Sequence, residues 1–551
     1  MRLDPEAKAL AWGLPAVTVL VWTASTMDPV NLPKMLLLAV VGFSLIPATF
    51  QKLRFSKSLL TNKFVLIHFF LILWVLLVTV TSKTNSLQSF FGVTGRYTGA
   101  LTYLSFSLVA LGIFVLSNKE LNQRILVGLG FSGIVNLIYC GFVIITGKDP
   151  IAWTNIYGNI LGTFGNPNFI SSFLGIFNIL IVSVVLSKAS SRPLFAVGLV
   201  ILGISVWEIL DSRSRQGLIV TLLGSGAVIL YRIVKSELRV LLKTAAAIIY
   251  FGSGVIALLG MLQIGPLTQY IYKLSVSIRG AYWRAGWETM LQNPVLGVGP
   301  DSFGDWYTRV RDSRAIVVPG VDVFTNSPHN VFIEQGANGG IPLFLAYLML
   351  QLYIFYCGFR FIRLSNGFDY VFAASFFGWL GFTAQSLISI NQIGLAIWGY
   401  VLGGMTVGIY HNAKIELEPA ISSPKSRNLV KGEFGFLRVI GGATVGLLIA
   451  IPPFYADAKW RSALTSTQLD QILKAAPQWP QSTDRYIEVS KTLFKNGYNK
   501  ETLDFVRKGI EFNSGNVRLW YFLYQIPEST QSEKDLAIER LKILDPNFKI
   551  K

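Results

Sequence analysis

The stretch FTNSPHNVFIEQGANGGIPLFLAYLML, Phe324 to Leu350, changes character halfway. As far as Asn338 it is largely polar and carries His329, one of three histidines in the chain; beyond Gly340 it is an apolar run that continues past Leu350. About twenty apolar helical residues cross the hydrocarbon core of a bilayer, so this second half reads as a membrane span with a histidine at its mouth. Runs of the same kind recur near 10–27, 32–50, 63–81, 99–117, 125–146, 168–187, 193–211, 216–232, 241–262, 339–359, 370–389, 393–411 and 437–455. The fold class expected is an all-α polytopic membrane protein with about thirteen spans. Composition agrees. The 551 residues are 52% hydrophobic and 14% charged, against about 25% charged residues in soluble domains.

The first run, Leu10 to Thr26, is followed by Asp28, Pro29 and Pro33 rather than by a small-residue cleavage site, and it reads as a retained helix. Lys and Arg collect in cytoplasmic loops. With the N-terminus inside, the inner loops hold Lys52, Arg54 and Lys57; Lys119 and Arg124; Lys188 and Arg192; Arg232, Lys235 and Arg239; Arg360 and Arg363; and Lys414, Lys425, Arg427 and Lys431. This asymmetry accounts for the net charge of +18 without a nucleic-acid partner. The domains that follow are residues 1–262, about nine transmembrane helices; 263–338, a large extracytoplasmic loop; 339–411, further spans; 412–436, a cytoplasmic linker; 437–456, the last span; and 457–551, an extracytoplasmic tail. In the tail, ILKAAPQWP, GIEFNSGN and LKILDPNF look like ends of one kind of helix, recurring near the roughly 34-residue period of tetratricopeptide repeats. Such repeats offer a concave surface to a protein partner; a plain helical cap is the simpler alternative.

Five polar or glycine-rich stretches interrupt the apolar pattern: FFGVTGRYTGALTYL (90–104), GTFGNPNF (162–169), DSRSRQGL (211–218), SIRGAYWRAGWETMLQNPVLGVGPDSFGDWY (277–307) and SPHNVFIEQGANGGIPL (327–343). The charge rule puts all five on the outer side, which points to one site there. Arg96, Arg213, Arg215, Arg279 and Arg284 lie in these stretches. A guanidinium near the bilayer suits a diphosphate, because its planar fork binds phosphate oxygens in pairs; snorkelling to lipid headgroups is the bland alternative. His329 is the candidate general base, since imidazole accepts a proton near neutrality; helix capping is its bland reading. Trp283 and its neighbouring aromatics suit sugar stacking or interfacial anchoring. Asn166, Asn168 and Asn330 suit either ligand hydrogen bonding or turns. His68, inside FVLIHFFLIL, reads as a packing residue, and His411 as interfacial. Cys140 and Cys357 lie in apolar runs with no metal or disulfide spacing.

The ordered set GTFGNPNF, SRSRQG, RGAYWRA with NPVLGVGPDSF, and HNVFIEQGANGG resembles the O-antigen ligase and polymerase superfamily of bacterial membrane glycosyltransferases over roughly residues 85–410. The resemblance implies a site on the outer face of the inner membrane. There a glycan passes from a polyprenyl diphosphate-linked donor to a hydroxyl of a glycan, lipid or protein acceptor, without a metal or other cofactor. It implies that Arg215 and Arg279 hold the diphosphate and that His329 activates the acceptor. Asn338 stands where the family often has an acidic residue, so no acidic role follows. Two rivals remain: a transporter, for which Glu208 and Asp211 would be the polar groups of interest, and a scaffold whose repeat tail is the working part.

Overall fold

The computed structural model describes residues 4–151, 153–188, 190–266, 268–271, 274–417 and 435–547. Among them there are helices and turns but no strands. The membrane core begins with α1 (Pro5–Val19), α2 (Asn31–Phe55, bent after Ser44), α3 (Lys63–Val80), α4 (Ala100–Leu116), α5 (Lys119–Thr146), α6 (Pro167–Val185), α7 (Arg192–Asp211), α8 (Arg215–Val234) and α9 (Val240–Met261). It continues, after α10 (Leu274–Gln292) and α11 (Phe303–Val310), with α12 (Val331–Leu364), α13 (Tyr370–Ser386), α14 (Ile393–Leu417) and α15 (Gly435–Ser466). Ten of these helices are long and apolar enough to cross a membrane; α1, α4 and α13 are shorter, at 15, 17 and 17 residues. Each expected span therefore meets a helix.

Short polar side chains start these helices. Asn62, Asn118, Asn166, Ser191, Ser214, Asn330 and Asp369 each accept a backbone N–H from the first turn. In an apolar surrounding such caps replace the water that would otherwise satisfy those donors. Small residues let the helices close up. A Cβ on Gly217 of α8 would lie 2.2 Å from the carbonyl oxygen of Ser171 on α6, so these backbones touch directly.

Two features differ from the sequence reading, and a third explains itself. The segment 263–338 is not an open loop: it holds α10, which packs along α12, and α11. It contains no apolar run, so periodicity of membrane type could not reveal these helices. The tenth span, expected from 339, coincides with the second part of α12, because the helix that opens at Val331 breaks at Gly339 and Gly340 and resumes. The last helix, α15, runs ten residues past the expected end, to Ser466, because Asp457 and Lys459 do not interrupt helical backbone. The expected linker 412–436 lies largely outside the described residues.

The break in α12 explains two glycine motifs together. The Val298 and Gly299 N–H groups donate to the carbonyls of Ala337 and Asn338, and the Ile341 N–H donates to Pro294. Gly340 has φ +72, and a Cβ there would meet the Val295 carbonyl oxygen at 2.3 Å. The NPVLGVGP segment thus fills the break that GANGGIP opens.

The tail forms two helical hairpins, α16 (Thr483–Lys495) with α17 (Asn499–Phe512) and α18 (Val517–Gln525) with α19 (Gln531–Leu544). It is docked on the core by buried polar bonds. Asp305 of α11 accepts from Asn513 at 3.0 Å, Asn516 at 2.8 Å and Gln88 at 3.1 Å. Arg311 pairs with Asp545 at 2.6 Å, both almost fully buried.

Candidate functional site around His329

All five interrupting stretches reach one end of the helical bundle. Asn31, at the start of α2, donates to the Gly95 carbonyl and accepts from Gln392. Val30 lies against Gly165, at the turn before α6. Ser172 of α6 donates to Gln216 of α8 at 3.3 Å. Lys83 donates from its backbone to Val298, and Val298 in turn to the carbonyl of Ala337 of α12.

His329 sits one residue before the α12 cap, Asn330, whose Oδ1 accepts from the Ile333 N–H at 3.1 Å. Its backbone is left-handed, φ +54. Among the described residues six non-glycines have such a φ, and four of them, Tyr97, Arg213, Asp301 and His329, lie in the interrupting stretches. Strain of this kind costs about 1–3 kcal/mol each and persists where surroundings enforce it. At His329 the enforcement is visible. Its N–H donates to Ser327 Oγ at 3.1 Å, and Ser327 donates to Glu334 Oε2 at 3.1 Å. Its carbonyl accepts from Trp283 Nε1 at 3.4 Å. The imidazole stacks on Tyr282 of α10, with ring centres 5.6 Å apart. Burial, then the charges of Arg279 and Arg96, pull its pKa down to about 4, so the ring is neutral at pH 7.

The arginines separate by counter-charge. Arg96 is flanked by two buried carboxylates, Glu334 at 2.5 Å and Asp301 at 3.3 Å, and it also donates to the Asn326 carbonyl. Burial opposes its charge, but the two carboxylates outweigh burial and hold the guanidinium above its usual range. Both ends of its fork are engaged within the protein. Arg284 is paired with Asp312 at 2.7 Å on a half-exposed face. Arg279, one turn from Tyr282, is half-buried and has no carboxylate within ion-pair distance among the described residues; burial lowers its pKa.

Arg215 opens α8, after its cap Ser214, with Arg213 in the preceding left-handed turn. They lie beside the first turn of α6. There Asn166 caps the helix, accepting from the Asn168 N–H at 2.9 Å and donating to Tyr157 Oη at 2.9 Å. The Asn168 carbonyl accepts from Ser171 and Ser172. The Asn166 side chain thus fills a cap role, and Asn168 takes part through its backbone. α8 packs chiefly on α6 and α13, whereas α10 packs on α12, so Arg215 and Arg279 stand on separate helix pairs at the same end. His68 is fully buried, with Nδ1 2.9 Å from the Phe64 carbonyl oxygen, and His411 lies edge-on to Phe114 on α14.

Sequence reasoning missed Asp301 and Ser327, and gave Tyr282, one of the aromatics beside Arg279, and Glu334 no defined role. Asp301 and Tyr282 lie inside motifs it had quoted, but nothing local says which arginine a carboxylate faces. A cavity of about 670 Å³ opens beside this network. The Gly92–Tyr97 turn, Phe324 and Asn326 line it from the core, and Asp484, Arg485, Glu488 and Arg518 from the tail.

A comparison with curated proteins finds no match. The family model described as O-antigen ligase matches residues 199–348, from within α7 to the middle of α12, which takes in Arg215, α10, the α12 break and His329. Through this segment the chain is similar to the O-antigen ligase superfamily, a family that points to a membrane glycosyltransferase.

Proposed function

We propose that this protein transfers a glycan from a polyprenyl diphosphate carrier to an acceptor hydroxyl at the end of the bundle that carries His329, on the extracytoplasmic side of the inner membrane. The observation that supports this best is a neutral imidazole under the charge of Arg279, a half-buried cation lacking a carboxylate partner among the described residues, within the segment that resembles the family. A buried cation without counter-charge is costly, and a diphosphate would supply that counter-charge. Arg215, with Arg213 beside it, is the second expected phosphate contact. Arg96 and Arg284, already paired within the protein, act as positioning residues rather than phosphate ligands.

The acceptor oxygen attacks the anomeric carbon as the carbon–oxygen bond to the diphosphate breaks. His329 takes the hydroxyl proton, and the polyprenyl diphosphate leaves with its charge held by arginine. In-line attack with a single base gives inversion. The diphosphate also helps the base. Its negative charge offsets the Arg279 field that depresses the imidazole, so donor binding raises the proton affinity of His329 towards the working range. Ligation to a lipid core, polymerisation of repeat units and transfer to a protein hydroxyl use the same chemistry.

The test is glycan transfer in proteoliposomes with purified lipid-linked donor and acceptor. His329→Ala should lower the rate by about 10²–10⁴-fold, the usual worth of a general base, with donor binding retained. Arg279→Lys should also be impaired, because the charge stays but the two-point fork is lost. Full turnover in both His329→Ala and Arg279→Ala would dismiss the reading.

A further inference from the structure

The cavity between tail and core is built for a ligand that the diphosphate site does not need. Its walls carry five carboxylates, Asp28, Asp305, Asp457, Asp484 and Glu488, but only two arginines. Both arginines are engaged: Arg485 donates to the carbonyls of Gln478 and Pro480, and Arg518 lies 3.4 Å from Asp484. Asp305 is held in the tail dock and Asp457 by the Met27 N–H, whereas Asp28 Oδ2 is buried with no partner among the described residues. A lipid diphosphate would be repelled here. At about 670 Å³ the volume falls in the range of small-ligand sites, about 300–1,000 Å³.

Tyr97 supplies an independent sign. Its side chain lines the cavity, the residue is only 6% exposed, and its hydroxyl has no hydrogen-bond partner among the described residues. The hydroxyl itself is not sealed in protein, so it can meet a ligand in the cavity. The Tyr97 backbone is itself left-handed, φ +53, which turns the side chain out of the Arg96 network. Phe324, 44% exposed, and Trp460 add aromatic surface. Carboxylates, a tyrosine hydroxyl and aromatic faces are the combination that holds sugar hydroxyls by hydrogen bonds and sugar C–H faces by contact. The Gly92–Tyr97 wall is shared, since Arg96 projects from it to Asn326 and Glu334. On the His329 side the cavity reaches Asn326, three residues before the histidine.

We propose that tail and core together form a binding site for the acceptor, a hydroxyl-rich oligosaccharide bearing no anionic groups. Its role as acceptor rests on the glycosyl-transfer reading above; its ligand chemistry does not. The tail is then a wall of the substrate site.

The experiment is direct binding to the purified full-length protein in nanodiscs, without donor, following tryptophan fluorescence and calorimetry. The probes are a short neutral glucose oligosaccharide, a glucosamine oligosaccharide, a galacturonate oligosaccharide and a lysine-rich peptide. The neutral and amino-sugar probes should bind and the galacturonate probe should not. Tyr97→Phe and Asp484→Asn should each weaken binding by about tenfold, the worth of one buried hydrogen bond to a polar ligand. Equal binding of galacturonate, binding of the peptide alone, no binding of any saccharide, or saccharide affinity unchanged in both cavity variants would each overturn the proposal. Saccharide binding in a protein that transfers no glycan would refute the glycosyl-transfer reading while leaving the cavity a sugar site. Transfer without cavity binding would refute only the cavity.

Discussion

Replacing Arg279 by Gln should raise the pKa of His329, by an amount the structure bounds. The imidazole lies at about 4, against 6.5 for an unperturbed histidine. Burial is the largest cause, the Arg279 charge the second and the Arg96 charge the third. The variant leaves burial and Arg96 in place, so it should recover less than half of the gap, about one unit at most. The chain suits the measurement, because it has only three histidines. With histidine labelled selectively and the protein in nanodiscs, the His329 signal should titrate near 4 in the wild type and about a unit higher in Arg279→Gln. Inorganic pyrophosphate should move the wild type in the same direction. The sign for stability follows from the lowered folded-state value. His329 costs nothing above about 6.5, and its contribution to stability is lost as pH falls from there through about 4, because the unfolded chain takes up the proton first. That loss amounts to about 3 kcal/mol, at 1.36 kcal/mol per unit. A wild-type His329 titrating near 6.5, or a value unmoved in Arg279→Gln, would refute the placement of the two side chains against each other.

Gly340→Ala should cost well over 1 kcal/mol, from a strained φ and a clash with Val295, and should show as a lowered unfolding temperature. Arg311→Met leaves Asp545 as a buried unpaired charge, a loss of about 3–5 kcal/mol at the tail dock; limited proteolysis should then release the tail, and the double change Arg311→Met with Asp545→Leu should restore protection. Glu334→Gln removes a carboxylate from Arg96 and from Ser327, the residue that holds the His329 N–H. It should lower the turnover rate more than it weakens donor binding in the transfer assay. If the charge asymmetry sets orientation, cysteines at the exposed positions Ser313 and Ser532 should label from outside the cell, and one at Ser236 only after permeabilisation.

The helices were legible because a membrane span is read by length and apolarity, a signal that needs no tertiary context. The same signal is silent for α10 and α11, whose residues are mixed in polarity and which pack on α12 and on α10 respectively. The break at Gly339 and Gly340 was half legible. The glycines stand out, but the NPVLGVGP segment that hydrogen-bonds into the break lies some forty residues earlier in the chain. Asn166 of GTFGNPNF was legible as polar and not as a cap, since a cap and a ligand contact use the same atoms.

Charge at the site shows most clearly where a sequence stops being informative. Arg96, Arg279 and Arg284 each stand beside glycines or aromatics and look alike as residues. What separates them is the distance to a carboxylate: Arg96 has two, Arg284 has one, and Arg279 has none among the described residues. The carboxylates come from Asp301, Asp312 and Glu334, on segments between 28 and 238 positions away. An arginine whose charge is already met within the fold has little to gain from a phosphate, because binding would have to replace a buried pair. An arginine left unmet gains the whole interaction. Arg279 is therefore the position where conservative replacement by Lys should be felt most. Arg284→Ala, on its half-exposed face, should leave transfer within a few-fold of normal, and a loss as deep as that of Arg279→Ala would show that counter-charge is not what selects the phosphate ligand.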